Sequence, residues 1–85
     1  MTPGEIPIHV LLFGYYRELL GAPSVEVSLP AGARVEDLLG RLRQLPELAV
    51  LPDRPAVAVN RRYADSSRSL SRGDEVALLP PVAGG

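Results

Sequence analysis

The residues best suited to chemistry in this sequence of 85 residues are the last two, Gly84 and Gly85. Neither carries a Cβ atom, so the backbone there could pass through a channel too narrow for any other residue. The two prolines ahead of them, Pro80 and Pro81, cannot extend the hydrogen bonding of a sheet and favour an extended exit from the domain. The reactive group that such a tail offers is a terminal carboxylate on Gly85.

A carboxylate is a poor electrophile, and activation by ATP would change that. Adenylation of Gly85 would give a mixed anhydride, from which a sulfur nucleophile could displace AMP and leave a thiocarboxylate. The sequence contains no cysteine, so it has no thiol of its own to attack the activated acyl group. The segment that would enter a partner's channel consists of Pro80, Pro81, Val82, Ala83 and Gly84. The alternative is a frayed chain end without function.

The composition excludes several other kinds of site. The absence of cysteine rules out disulfides, cysteine metal sites and a thiol nucleophile. All nine basic residues are arginine, so there is no lysine for a P-loop, a Schiff base or isopeptide attachment. The single histidine, His9, has no clustered carboxylates beside it, and we expect no metal site. A net charge of -1 gives no electrostatic reason to bind nucleic acid or an anionic membrane.

The sequence also carries no sign of a membrane span or a secretory signal. No apolar run approaches the roughly 18 residues that a membrane-spanning helix needs. The first residues lack the basic segment that precedes the apolar segment of a signal peptide. We therefore expect a cytoplasmic protein.

The elements that must position the tail alternate between strand and helix patterns. In chain order we predict strands over 6–13 and 24–29 around a short helix over 15–20, a main helix over 35–45, and strands over 56–60 and 75–79 with a short strand between them. One main helix on one face of a mixed sheet of four to five strands predicts an α+β domain of the ubiquitin-like β-grasp class. We expect this domain to span residues 1–79 and the extended tail to span 80–85.

An apolar patch beside the tail is a second candidate site. The period of two places Phe13 opposite the core side chains of the first strand, and Leu79 opposite those of the last. If these strands are neighbours, both side chains form one outward patch at the root of the tail, which we interpret as a partner docking surface. Tyr63 is a further candidate for this patch. The alternative is that this patch is ordinary exposed apolar surface. We interpret the neighbouring arginines, Arg61 and Arg62, as the solvated face of a turn.

Several stretches resemble the small subunit of molybdopterin synthase, the sulfur carrier of molybdenum-cofactor biosynthesis. The matching stretches are 10–14, 17–18, 35–39, 57–60, Leu70, 73–77 and the ending Pro80-Pro81-Val82-Ala83-Gly84-Gly85. Sulfur carriers for thiamine share the Gly-Gly end but usually lack the two prolines. Leu79 stands where the family often has an aromatic residue, which bears on the partner contact rather than on the carrier role.

The resemblance implies a protein that is not catalytic alone and binds no cofactor of its own. An ATP-dependent, E1-like adenylyltransferase would activate Gly85, and a sulfurtransferase would supply the sulfur. The thiocarboxylated tail would then enter the large synthase subunit and donate sulfur to a pyranopterin precursor. Three alternatives stay open: a carrier for thiamine or tRNA thiolation, a ubiquitin-like protein modifier, and a β-grasp interaction domain without covalent chemistry.

Overall fold

Five strands and two α-helices form the part of the chain that the computed structural model describes, residues 4–81. In chain order the elements are β1 (Glu5–Leu12), α1 (Gly14–Leu20), β2 (Ser24–Pro30), α2 (Val35–Leu42), a 3-10 turn (Pro46–Leu48), β3 (Ala56–Val59), β4 (Arg62–Tyr63) and β5 (Glu75–Leu79). The predicted α+β architecture, with one main and one short helix, is confirmed.

The strands form one sheet in the order β2-β1-β5-β3-β4. β1 and β5 lie side by side and run parallel, with Leu12 opposite Leu78, while the other neighbouring strands are antiparallel. The first and last strands are therefore neighbours, which is the condition for Phe13 and Leu79 to form one patch. Because parallel strands end at the same edge of a sheet, the residues after Leu12 and those after Leu79 start side by side.

Side chains along each strand point alternately to the two faces of the sheet, and the apolar face forms the core. In β1 and β5 the side chains of Ile8, Val10, Val76 and Leu78 are at most 1 % exposed, and α2 packs on the same side. The helix contributes a stripe with the 3.6-residue period, formed by Val35, Leu38, Leu39 and Leu42. Leu70, the lone apolar residue between Asp65 and Gly73, is 2 % exposed and joins the core. Every residue classed as buried within 4–81 is apolar or aromatic.

The main helix is shorter than its sequence pattern suggests. Its regular turns end at Leu42, after which the N–H groups of Gln44 and Leu45 donate to carbonyls only three residues back. The residue before a proline avoids the helical conformation, and Leu45, which precedes Pro46, has an extended ψ of 125°. The predicted end at residue 45 was therefore wrong, although Leu45 still packs against the core.

Candidate functional site

The face of the sheet opposite the core carries the residues that the pattern placed outward. Register puts Leu11 of β1 and Ala58 of β3 on either side of Ala77 of β5. These three side chains alternate with buried neighbours and remain half-exposed. They form an apolar floor across the three central strands, on the side away from α2.

A groove of about 250 Å³ lies over this floor and extends to the end of β5. Its lining consists of Leu11, Phe13, Ala58, Arg61, Glu75, Ala77 and Leu79, and we call it the docking groove. Phe13 is 45 % exposed, while Leu79 is half-buried. The structure thus brings Phe13 and Leu79 together at one site, and their role in docking stays a prediction.

The third predicted docking residue, Tyr63, lies one strand beyond the groove. It pairs with Ala58 from β4 and is 81 % exposed. Tyr63 therefore extends the same face but does not line the groove.

The interpretation of Arg61 and Arg62 as the solvated face of a turn agrees with the structure, in which both residues are exposed. Arg61 lines the docking groove, whereas its neighbour Arg62 does not. The sequence pattern missed Arg61 and Ala58 because their position depends on β3 lying beside β5. Leu11 and Ala77 could have been found from the period of two alone.

Phe13 occupies the N-cap position of α1, and the strand predicted to include it ends at Leu12. Its backbone is extended and its side chain makes no capping hydrogen bond. Asp, Asn or Ser at an N-cap stabilises a helix by about 1 kcal/mol relative to residues that cannot cap. Helix stability therefore does not explain an aromatic residue at this position, whereas contact with a partner would.

Gly14 lies close to Pro80 at the root of the tail. Gly14 has a φ of +53°, and a Cβ atom built on it would lie 3.0 Å from Cγ of Pro80. Pro80 is half-buried and Pro81 is exposed. The other predicted tail residues, Val82, Ala83, Gly84 and Gly85, lie outside the described residues.

Replacing Gly14 with alanine is expected to cost about 1–2 kcal/mol of unfolding free energy, because the left-handed backbone disfavours a Cβ atom. The new methyl group would also displace Pro80 and re-aim the start of the tail. Gly21→Ala is the matched control, since Gly21 has a φ of +74° and no atom within 4 Å of a built Cβ.

Urea denaturation should show a loss in both variants, and NMR shifts at Leu79 and Pro80 should change only in Gly14→Ala. Equal shifts in the two variants would show that the Gly14 contact does not set the direction of the tail.

Two side chains in the described part have shifted pKa values, and neither lines the docking groove. Burial, and secondarily the neighbouring Tyr15, raises the pKa of Tyr16. Hydrogen bonds from the hydroxyl and backbone N–H of Ser67 lower the pKa of Asp65.

Within residues 4–81 no three His, Asp or Glu side chains lie close enough together to bind a metal ion. No helix in this part of the chain is long and apolar enough to cross a membrane.

Comparison with known proteins gives four relevant similarities, one to a family profile and three to individual proteins. The profile of the ThiS family matches residues 10–85. The molybdopterin synthase sulfur carrier subunit of Mycobacterium tuberculosis is 42% identical over 82 residues, which cover 94% of this chain and 99% of that protein. The crystal structure of SAMP1, the small archaeal modifier protein 1 of Haloferax volcanii, superposes with a TM-score of 0.81 at 32% identity, covering 93% of this chain and 99% of that one.

A third relative has been solved together with a second protein. It belongs to a complex of subunits 1 and 2 of the molybdopterin-converting factor from Helicobacter pylori, and matches with a TM-score of 0.66 at 27% identity. The match covers 94% of this chain and 100% of that one. The fold, the family profile and the sequence similarity over nearly the full length of the chain agree. The chain belongs to the ThiS family and, within it, to the sulfur carrier subunits of molybdopterin synthase.

Proposed function

We propose that this chain carries sulfur for molybdopterin synthesis as a thiocarboxylate on Gly85, in the cytoplasm. In this function an E1-like adenylyltransferase joins the Gly85 carboxylate to AMP, and ATP loses pyrophosphate. A sulfur nucleophile delivered by a sulfurtransferase then displaces AMP. The large synthase subunit receives the charged tail and catalyses transfer of the sulfur to a pyranopterin precursor.

The observation that carries this proposal is the position of the docking groove at the root of the tail. Leu79 lines the groove, and Pro80 follows it directly. The six residues 80–85 can span at most about 20 Å when extended. A protein bound over the groove could therefore hold its own reactive centre within that distance and still receive the carboxylate.

The chemistry of the described residues suits a carrier that leaves catalysis to its partners. The charged side chains that line the groove are Arg61 and Glu75, which form an exposed ion pair. The complex of subunits 1 and 2 from Helicobacter pylori supports the large subunit as a partner of this chain. The adenylyltransferase and the sulfurtransferase follow from the chemistry that a carboxylate needs before it can carry sulfur.

Intact-mass analysis tests the carrier function directly. The chain is incubated with ATP, an adenylyltransferase and a sulfurtransferase with its sulfur source, and a parallel sample lacks ATP. We expect an oxygen-to-sulfur mass increase only with ATP, located at Gly85 by fragmentation. If active enzymes produce no such increase, a β-grasp interaction domain without covalent chemistry becomes the better account.

The likeness to SAMP1 favours one alternative, a protein modifier whose carboxyl group is joined to an amine of another protein. Affinity purification of the tagged chain separates the alternatives by partner. We expect the large synthase subunit to co-purify. Recovery of amide-linked conjugates, a thiazole synthase or a tRNA-thiolating enzyme in its place would overturn the assignment to molybdopterin.

A further inference from the structure

The turn between β3 and β4 holds an arginine in a backbone conformation that arginine disfavours. Asn60 and Arg61 connect the two strands with φ values of 53° and 68°. Asparagine tolerates the left-handed region, but the second position of such a two-residue turn is usually glycine. A side chain there lowers the folding constant by roughly ten-fold. Non-glycine residues in this region often mark functional sites.

Hydrogen bonds of the preceding residue keep the turn from relaxing. The backbone N–H of Asn60 donates to the carbonyl of Glu75 at 2.7 Å, and the N–H of Glu75 donates to Oδ1 of Asn60 at 3.0 Å. Nδ2 of Asn60 donates to Oδ1 of Asp74, also at 3.0 Å. The turn is therefore fastened to the start of β5, and Arg61 is held over the end of the docking groove.

No contact that Arg61 makes with residues 4–81 offsets this cost. Its Nε atom lies 3.6 Å from Oε2 of Glu75, and the two side chains are 90 % and 44 % exposed. An ion pair this open to water adds little to stability. Arg61 thus adopts a disfavoured backbone conformation at the rim of an apolar groove. Its ion pair with Glu75 does not stabilise the fold enough to offset that strain.

We propose that Arg61 is a recognition residue of the docking groove, which binds a carboxylate of the large synthase subunit next to an apolar side chain of that partner. This inference rests on the proposed function. The apolar side chain would lie on Leu11, Ala58 and Ala77, while the guanidinium at the rim would meet an Asp or Glu. A planar guanidinium matches a carboxylate with two parallel hydrogen bonds, and the pair strengthens when the partner excludes water.

Glu75 acts in this arrangement as a positioning residue. In the free chain its Oε2 atom lies 3.6 Å from Nε of the guanidinium, at the rim of the groove. The guanidinium has five N–H donors, so it can contact Glu75 and a partner carboxylate at once. The ion pair therefore does not have to break when the partner binds.

A single substitution separates recognition from structure, because the two effects have opposite signs. Arg61→Gly removes both the guanidinium and the backbone strain. We expect the folding constant to rise about five-fold, which is less than the roughly ten-fold cost of the strain because glycine also makes the unfolded chain more flexible. The affinity for the large subunit should fall at least about ten-fold. Urea denaturation and calorimetric titration with the purified large subunit measure the two quantities. An arginine with a merely structural role would not give higher stability together with weaker binding.

Three further variants control for charge and position. Arg61→Asn tolerates the left-handed backbone without a charge and should bind as weakly as Arg61→Gly. Arg61→Lys keeps the positive charge but lacks the planar guanidinium that forms two parallel hydrogen bonds, so it should bind with intermediate affinity. Arg62→Gln changes the neighbouring arginine outside the groove and should bind like the native chain. The native affinity should also fall more steeply with added salt than that of Arg61→Gly.

The outcomes distinguish this inference from the proposed function. If the native chain binds the large subunit and Arg61→Gly binds it equally tightly, the role of Arg61 is refuted and the proposed function stands. If the native chain does not bind the large subunit, the proposed function fails and the inference fails with it.

Discussion

Removal of Gly85 is expected to abolish thiocarboxylate formation while leaving the free energy of unfolding unchanged. The shortened tail would withdraw its carboxylate by up to about 3.5 Å. A displacement of even about 1 Å at a reacting centre can cost roughly 100-fold in rate. The last strand ends at Leu79, so the deletion removes no part of the sheet. Intact-mass analysis after incubation with the activating enzymes measures the first effect, and urea denaturation measures the second.

Val50→Ala provides the control for this deletion, because it reduces the bulk of an exposed side chain away from the tail and keeps the length of the tail. We expect this variant to acquire sulfur as the native chain does. A chain that ends at Gly84 and still supports sulfuration of the pterin would show that the position of the carboxylate is not what the partners recognise.

Phe13→Asp is expected to lower the affinity for the large subunit by about 100-fold or more. The change removes an aromatic side chain of the kind that dominates interfaces, and it places a carboxylate where the partner would exclude water. Stability should change little, because Asp at the N-cap of α1 gains about 1 kcal/mol and offsets the lost contacts of the half-exposed ring. Calorimetric titration and urea denaturation measure the two quantities.

Val50→Asp is the matched control for this substitution. Val50 is 61 % exposed and lies in the connection between the 3-10 turn and β3, away from the groove lining. It should bind the large subunit like the native chain. If Phe13→Asp also binds like the native chain, the docking groove is not the surface that the large subunit covers.

Local patterns were sufficient to predict the elements and much of the core. The period of two in β1 and β5 separated buried Val10 and Leu78 from outward Leu11 and Leu79. Burial of apolar side chains dominates these choices, and it acts on residues that are close in sequence. The position of Phe13 was less predictable, because an extended residue at a strand end and one at a helix N-cap share the same backbone region.

The full lining of the groove depends on which strands are neighbours. Ala58 and Arg61 belong to the site because β3 pairs with β5, and that pairing joins residues well separated in the chain. No periodicity within either strand specifies its neighbour. The left-handed backbone of Arg61 was equally hidden, since arginine is not a residue that predicts such a turn.

The parallel pairing of β1 with β5 has a consequence for the newly made protein. The centre of the sheet combines a strand from near the start of the sequence with one from near its end. Such long-range pairing forms late, after the intervening chain is available. During synthesis on the ribosome, β1 must therefore wait for almost the whole chain to emerge. The docking groove needs Ala77 and Leu79 of β5, so a nascent chain without β5 would lack the surface that we propose for the large subunit.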